Sequence, residues 1–153
     1  MRAPRLMVFP VVMLGVVCVM ASCMTTHYAA RSSEEIQGTW VNEKEGMQKI
    51  VMLPDGTGHL FIYKSDATPC ERFTYRFYRR WMDTDGNVLY TTDYTLGVGS
   101  AQQNIQELDR ISRDGSVWEY VYEHVGEFSP EKYPARLDPQ HPHYHIFYRS
   151  QED

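Results

Sequence analysis

The sequence predicts an all-β fold, an eight-stranded up-and-down antiparallel barrel, on three observations. Short aromatic segments alternate between apolar and polar residues, as half-buried strands do. Asp-Gly pairs at Asp55-Gly56, Asp85-Gly86 and Asp114-Gly115 lie between such segments. This pair favours tight hairpins because both residues tolerate a positive φ. After residue 36 no segment keeps an apolar period of 3.6 residues, so long helices are not expected.

The strands follow one another in a simple order. They are predicted near residues 36–42, 47–53, 58–64, 71–82, 87–96, 104–112, 116–125 and 143–149. The three Asp-Gly hairpins join consecutive strands, so an up-and-down meander is expected. An eight-stranded barrel has an interior just wide enough to be filled by its own side chains or to hold one small ligand.

Alternation predicts which side chains point into the barrel. The interior set is expected to comprise Phe73, Tyr75, Phe77 and Trp81 from one strand, and Trp118, Tyr120, Tyr122 and His124 from another. The opposite faces of these strands carry charged residues such as Arg76 and Glu119, which are expected to face solvent. The carboxylates of the domain are likewise expected on outward positions.

The amino-terminal segment has the pattern of an export signal. Arg2 and Arg5 precede an apolar run of about 15 residues from Leu6 to Met20, which is short for a membrane span of roughly 20 residues and fits a signal peptide. The run ends in Met20-Ala21-Ser22-Cys23.

Small residues directly before a cysteine resemble the lipobox of bacterial lipoproteins. That resemblance implies that the Cys23 thiol is acylated and that the chain is cut before it. Residues 1–22 then form the signal peptide, 23–35 a lipidated tether and 36–153 the barrel domain. The expected location is the cell envelope, on the periplasmic face or the outer membrane. An uncleaved signal anchor is the alternative.

The first strand contains Gly38-Thr39-Trp40. A Gly-x-Trp at the head of an eight-strand pattern resembles the opening of the lipocalin-like (calycin) barrels. The resemblance implies that Gly38 lets the entering chain pass close under the barrel floor, that Trp40 plugs the floor, and that Arg149 of the last strand stacks on Trp40. An ordinary glycine before a core tryptophan is the alternative.

Composition narrows the function classes. The net charge of −5 argues against nucleic acid as a partner, since phosphate binding needs clustered Lys and Arg. Nothing pairs an acid with a base or a nucleophile with either, so neither an enzyme nor a cofactor is predicted. With Cys18 lost and Cys23 acylated, Cys70 has no partner for a disulfide and is expected to be buried or merely tolerated.

Two functions remain. The abundance of tyrosine and tryptophan on the interior face favours a shallow site for a small apolar or aromatic ligand, because buried Tyr and Trp need hydrogen-bond partners. Tyr75, Trp118, Tyr120 and Tyr122 are the predicted lining, and the proline-rich segment 126–142 is expected to cover the open end. A barrel plugged by its own side chains, acting as an envelope interaction or inhibitor-like protein, is the alternative.

A histidine cluster is the remaining feature. His143 and His145 share one face of the last strand, and His141 precedes them, which makes the three weak candidates for a Zn²⁺ or Cu²⁺ site. The alternation of Tyr144, Ile146 and Tyr148 instead favours a strand whose even-numbered residues face the core, with both strand histidines in solvent. No metal is therefore predicted.

Overall fold

The computed structural model describes residues 34–42, 44, 48–63, 66–97 and 99–151. The predicted signal peptide, Cys23 and most of the predicted tether lie outside these residues. The eight strands are β1 (Gly38–Asn42), β2 (Gln48–Met52), β3 (Thr57–Phe61), β4 (Glu71–Met82), β5 (Val88–Leu96), β6 (Gln103–Ile111), β7 (Val117–Val125) and β8 (Tyr144–Arg149).

The strands form one closed antiparallel barrel in chain order. β8 returns to β1 and closes the barrel, with Trp40 opposite Arg149 and Val41 opposite Tyr148. The predicted fold class is confirmed, and the predicted strand bounds agree within two residues, except that β3 ends at Phe61 rather than at residue 64.

The two ends of the barrel differ in their connections. Three tight turns close one end, where Gly56, Gly86 and Gly115 take φ values of 82°, 84° and 73°. These are the three Asp-Gly pairs, and the positive φ explains the glycine at each. The chain also enters β1 and leaves β8 at this end, called the floor below. The longer connections lie at the opposite end, called the mouth.

One irregularity in β4 changes which side chains face inward. The register with β5 shifts between Phe77 and Arg79, so one extra residue is accommodated there as a β-bulge. A bulge reverses the face on which the following residues lie. Trp81 therefore lies on the outer wall, and the prediction that it joins the interior aromatic set is wrong.

The floor half of the barrel is filled by its own side chains. Trp40, Tyr90, Trp118 and Phe147 are at most 1% exposed. The rings of Trp40 and Trp118 meet edge to face with centroids 5.6 Å apart, and Trp118 contacts Phe147 at 5.8 Å. Such offset and edge arrangements are the favourable ones for aromatic pairs. The space available to any ligand is therefore in the mouth half.

Candidate functional site

The floor is organised around Trp40 and Arg149. The Arg149 guanidinium carbon lies 4.3 Å from the Trp40 ring centroid, a cation–π contact. The Trp40 indole N–H donates to the Ile36 carbonyl at 2.8 Å. Gly38 lies directly beneath, with a φ of 116°, and a Cβ there would come within 2.9 Å of Arg149 Nη1. The positive φ favours a glycine at this position, and a larger residue would also displace the end of the Arg149 side chain.

Arg149 also joins separate parts of the chain at the floor. Its guanidinium donates to the carbonyls of Glu35, Gln37 and Gly115, at 2.5, 2.7 and 2.7 Å. These bonds connect the entering segment, the β6–β7 hairpin and the last strand, so the floor is fixed by one side chain.

Above the floor, β6 directs two carboxylates into the barrel. Asp109 is fully buried and accepts hydrogen bonds from Thr92 Oγ1 at 2.5 Å and Trp118 Nε1 at 2.9 Å. Glu107 lies two residues earlier on the same face and is 7% exposed. The prediction that the carboxylates occupy outward positions is wrong for these two residues.

The mouth half encloses a cavity of about 200 Å³. Its wall is mostly apolar and aromatic, with a few polar groups, which is the composition usual for small-molecule sites. It is lined by Gln48, Ile50, Leu60, Phe73, Tyr94, Leu96, Ile105, Glu107, Trp118, Tyr120, Tyr122 and His145.

Two buried polar atoms of this cavity have unused hydrogen-bonding capacity. Glu107 Oε2 and Tyr94 Oη form no hydrogen bond of good geometry within the described residues, although the Glu107 carboxyl lies close enough to Tyr94 and Asp109 for both to affect its pKa. Tyr94 is 4% exposed and Glu107 is 7% exposed, so both side chains are almost entirely buried. An unpaired buried polar group costs about 1–3 kcal/mol. Both residues line the cavity, so these polar side chains lie beside the space available to a ligand.

Burial raises the pKa values of the two carboxyl groups of β6, Glu107 and Asp109. It raises the pKa of Glu107 well above the ordinary value, and the neighbouring Asp109 raises it further. Burial also raises the pKa of Asp109 to about 6, although the hydrogen bonds from Thr92 and Trp118 oppose the rise. Both shifts have the same direction, so the pair resists carrying two negative charges.

The structure places the four predicted ligand residues in two groups. Trp118, Tyr120 and Tyr122 line the cavity. Tyr75 packs beside the cavity rather than in its wall, and its hydroxyl donates to the Leu53 carbonyl at 2.6 Å. Sequence reasoning missed Tyr94, which lies opposite Tyr75 on β5. It also missed Glu107, because an acidic residue on an alternating strand is normally assigned to solvent.

The last strand faces inward with its odd-numbered residues. Phe147 is fully buried and His145 lines the cavity, whereas Tyr148 is 45% exposed. The expectation that Tyr144, Ile146 and Tyr148 face the core is therefore wrong.

The three histidines take separate surroundings. His145 contacts the Tyr120 ring at 5.1 Å, His143 stacks on Tyr122 at 4.5 Å, and His141 Nε2 lies 3.1 Å from a Glu123 carboxylate oxygen. In the part of the chain that the structure describes, no group of three or more His, Cys, Asp or Glu is arranged to hold a metal ion.

The proline-rich segment 126–142 does not cover the mouth. It packs on the outer wall, where the Tyr133 hydroxyl donates to Asp93 at 2.6 Å and the Ser129 N–H donates to Gln106 at 3.3 Å. Between segment and wall is a groove of about 560 Å³, open to solvent, lined in part by Trp81, Leu89, Leu108 and Tyr133. None of its residues lines the cavity, so the prediction that this segment is a lid is wrong.

The remaining thiol is not a core residue. Cys70 is exposed, and its Sγ–H donates to the Leu60 carbonyl at 3.3 Å. The expectation of burial is therefore wrong, and mere tolerance at a surface position remains.

Comparisons with other proteins add no assignment. No protein-family profile, curated protein or solved structure matches this chain. Within the described ranges, no helix has the length and apolar character needed to cross a membrane.

Proposed function

We propose that this protein is a lipid-anchored lipoprotein of the cell envelope whose barrel binds a small aromatic or apolar ligand. The observation that carries the binding function is the mouth cavity of about 200 Å³ with its two unpaired polar atoms. The aromatic wall supplies apolar contact, and Glu107 and Tyr94 supply the few polar groups that orient a ligand. The lipid anchor is supported by the residues before Cys23.

The alternative is an envelope interaction protein with a plugged barrel. The self-packed floor half favours it, since Trp40, Trp118 and Phe147 leave no space there. The cavity in the mouth half favours ligand binding instead. A titration with small molecules separates the two functions, because a plugged barrel has no saturable site.

Binding is expected to change the fluorescence of Trp118, the tryptophan in the cavity wall. Titration of the full chain with para-cresol, 2-phenylethanol and octanoate should give a saturable change with at least one of them. The change should be lost in Trp118→Phe and kept in Trp81→Phe, which alters the outer wall. No saturable response from any probe, by fluorescence and by calorimetry, would leave the plugged-barrel function standing.

The lipid anchor is tested in the bacterial cell. Cys23→Ala should abolish incorporation of labelled fatty acid and leave an uncut precursor, because the thiol is the acylated group. Cys70→Ala is the matched control and should be labelled normally, since Cys70 lies in the barrel domain. Normal labelling of Cys23→Ala would contradict the lipoprotein assignment.

A further inference from the structure

The cavity wall favours one class of ligand over others by its electrostatics. Aromatic ring faces carry negative potential and attract cations. Phe73, Tyr94, Trp118, Tyr120 and Tyr122 surround the space with such rings. The cavity is thus suited to an aromatic molecule that also carries positive charge.

The charges of the groups that face Glu107 also favour a positively charged ligand. Asp109 lies on its own strand, Tyr94 on β5, and Tyr120 and Tyr122 on β7, with Tyr122 directly opposite in register. These groups are acidic or phenolic, so none of them supplies a positive charge to compensate an ionised Glu107.

The residues that the more distant strands contribute do not alter this balance of charge around Glu107. Tyr75 of β4 lies close to Tyr94, at 6.0 Å between ring centroids. β2 and β3 contribute the uncharged Gln48, Ile50 and Leu60. His145 of β8 is the one imidazole in the described lining, and that lining contains no Lys or Arg. A counter-charge for Glu107 is therefore absent from this wall and is left to the ligand.

We propose that the cavity binds a small aromatic amine, whose ammonium group donates hydrogen bonds to the Glu107 carboxylate and to the Tyr94 hydroxyl oxygen while its ring packs against Trp118 and Tyr120. This inference rests on the proposed ligand-binding function and specifies its ligand class. It uses the carboxyl and hydroxyl groups of two residues that line the cavity and lack a hydrogen bond of good geometry at one atom each. A hydrogen bond between charged groups is roughly twice as strong as a neutral one.

Proton balance gives the proposal a distinctive signature. Burial, and then the nearby Asp109, disfavour the charged form of Glu107 in the empty cavity. A bound ammonium group favours the carboxylate, so one proton leaves Glu107 as the amine enters. Affinity for the amine should therefore rise with pH below the Glu107 pKa of the empty protein, as long as the amine stays protonated.

The test compares three probes of similar shape and different charge. 2-Phenylethylamine is a cation, 2-phenylethanol is neutral and phenylacetate is an anion. They are titrated calorimetrically into the full chain in phospholipid nanodiscs, so that no detergent competes for the cavity. We expect the amine to bind at least about tenfold more tightly than the alcohol, the gain of one charge-assisted hydrogen bond. Phenylacetate should bind most weakly.

Variants identify the residue that causes the preference for the amine over the alcohol. Glu107→Gln removes the carboxylate and should bring the ratio of amine to alcohol affinity close to one. Glu123→Gln removes a carboxylate from an outward position of β7, 48% exposed, and should leave the ratio unchanged. His145→Gln is titrated in parallel, so that the pH dependence of amine affinity is also measured without the His145 imidazole.

Proton release is measured on the unaltered chain, so the proposal stays testable even where Glu107→Gln does not fold. Titrations in two buffers of different ionisation enthalpy should show net proton release on amine binding at pH values below the Glu107 pKa of the empty protein. Equal binding of amine and alcohol, or tighter binding of phenylacetate, would overturn the amine assignment and leave ligand binding intact. Failure of all three probes to bind would overturn both.

Discussion

Replacing Trp40 with alanine is expected to lower the free energy of unfolding by about 3–5 kcal/mol, the usual cost of emptying a large aromatic core site. Trp40 is fully buried and packs edge to face on Trp118. Arg149 covers its other side. Because the floor half is closely packed, the neighbours have little freedom to collapse into the space. Chemical denaturation measures the change.

Trp81→Ala is the matched control, because it removes the same side chain from the outer wall. Its loss should be clearly smaller. Arg149→Ala should also cost stability, and the loss should shrink in the Trp40→Ala background if the cation–π contact contributes. The usual cost of such a cavity is several times larger than about 1 kcal/mol. A smaller loss of unfolding free energy in Trp40→Ala would therefore show that Trp40 does not stabilise the floor of the barrel.

Barrel stability is expected to decrease as pH rises through the range in which Asp109 ionises. Its pKa is about 6 in the folded protein, above the ordinary value of 3.8. A carboxyl with a raised folded pKa binds more protons when folded, so stability is highest below the unfolded pKa and is lost as pH rises to the folded one. The difference corresponds to about 3 kcal/mol, developed between about pH 4 and 6. Glu107 acts in the same direction at higher pH.

Denaturation of the wild type and of Asp109→Asn isolates this effect. The stability of the variant relative to the wild type should increase across the same pH range. Asp114→Asn is the control, because hydrogen bonds from Ser112 and Ser116 lower the pKa of Asp114 to about 2. Its contribution is complete above the unfolded pKa and should stay constant there. A relative stability of Asp109→Asn that does not change with pH would show that Asp109 ionises equally easily in both states.

The fold could be predicted from the sequence because three of its hairpins carry a local signal. Alternation located the strands, and three Asp-Gly pairs located turns that require a positive φ. It was harder to predict from the sequence which residues near the end of a strand point into the barrel. One inserted residue after Phe77 moved Trp81 to the outside, and alternation contains no mark of a bulge. In β8 both faces carry aromatic residues, so the inward set depends on pairing with β7.

The candidate site was accessible only in part for the same reason. Trp118, Tyr120 and Tyr122 follow from a regular aromatic alternation. Glu107 and Asp109 do not, since the groups that make their burial possible lie on other strands. Thr92 is 17 residues away from Asp109 along the chain. The outer-wall position of segment 126–142 depends in the same way on Asp93 and Gln106, which sequence alone does not bring together.

The position of the entering chain has a consequence for the orientation of the barrel on a bilayer. Glu35 and Gln37 are bound to Arg149 at the floor, so the segment that leads back to Cys23 leaves the barrel from that end. Eleven residues separate Cys23 from Glu35, and a random coil of that length would span about 20 Å. In a chain anchored at Cys23, the floor with its three tight turns therefore faces the lipid headgroups. In such a chain the mouth would point away from the bilayer, and a ligand would enter it from the aqueous side.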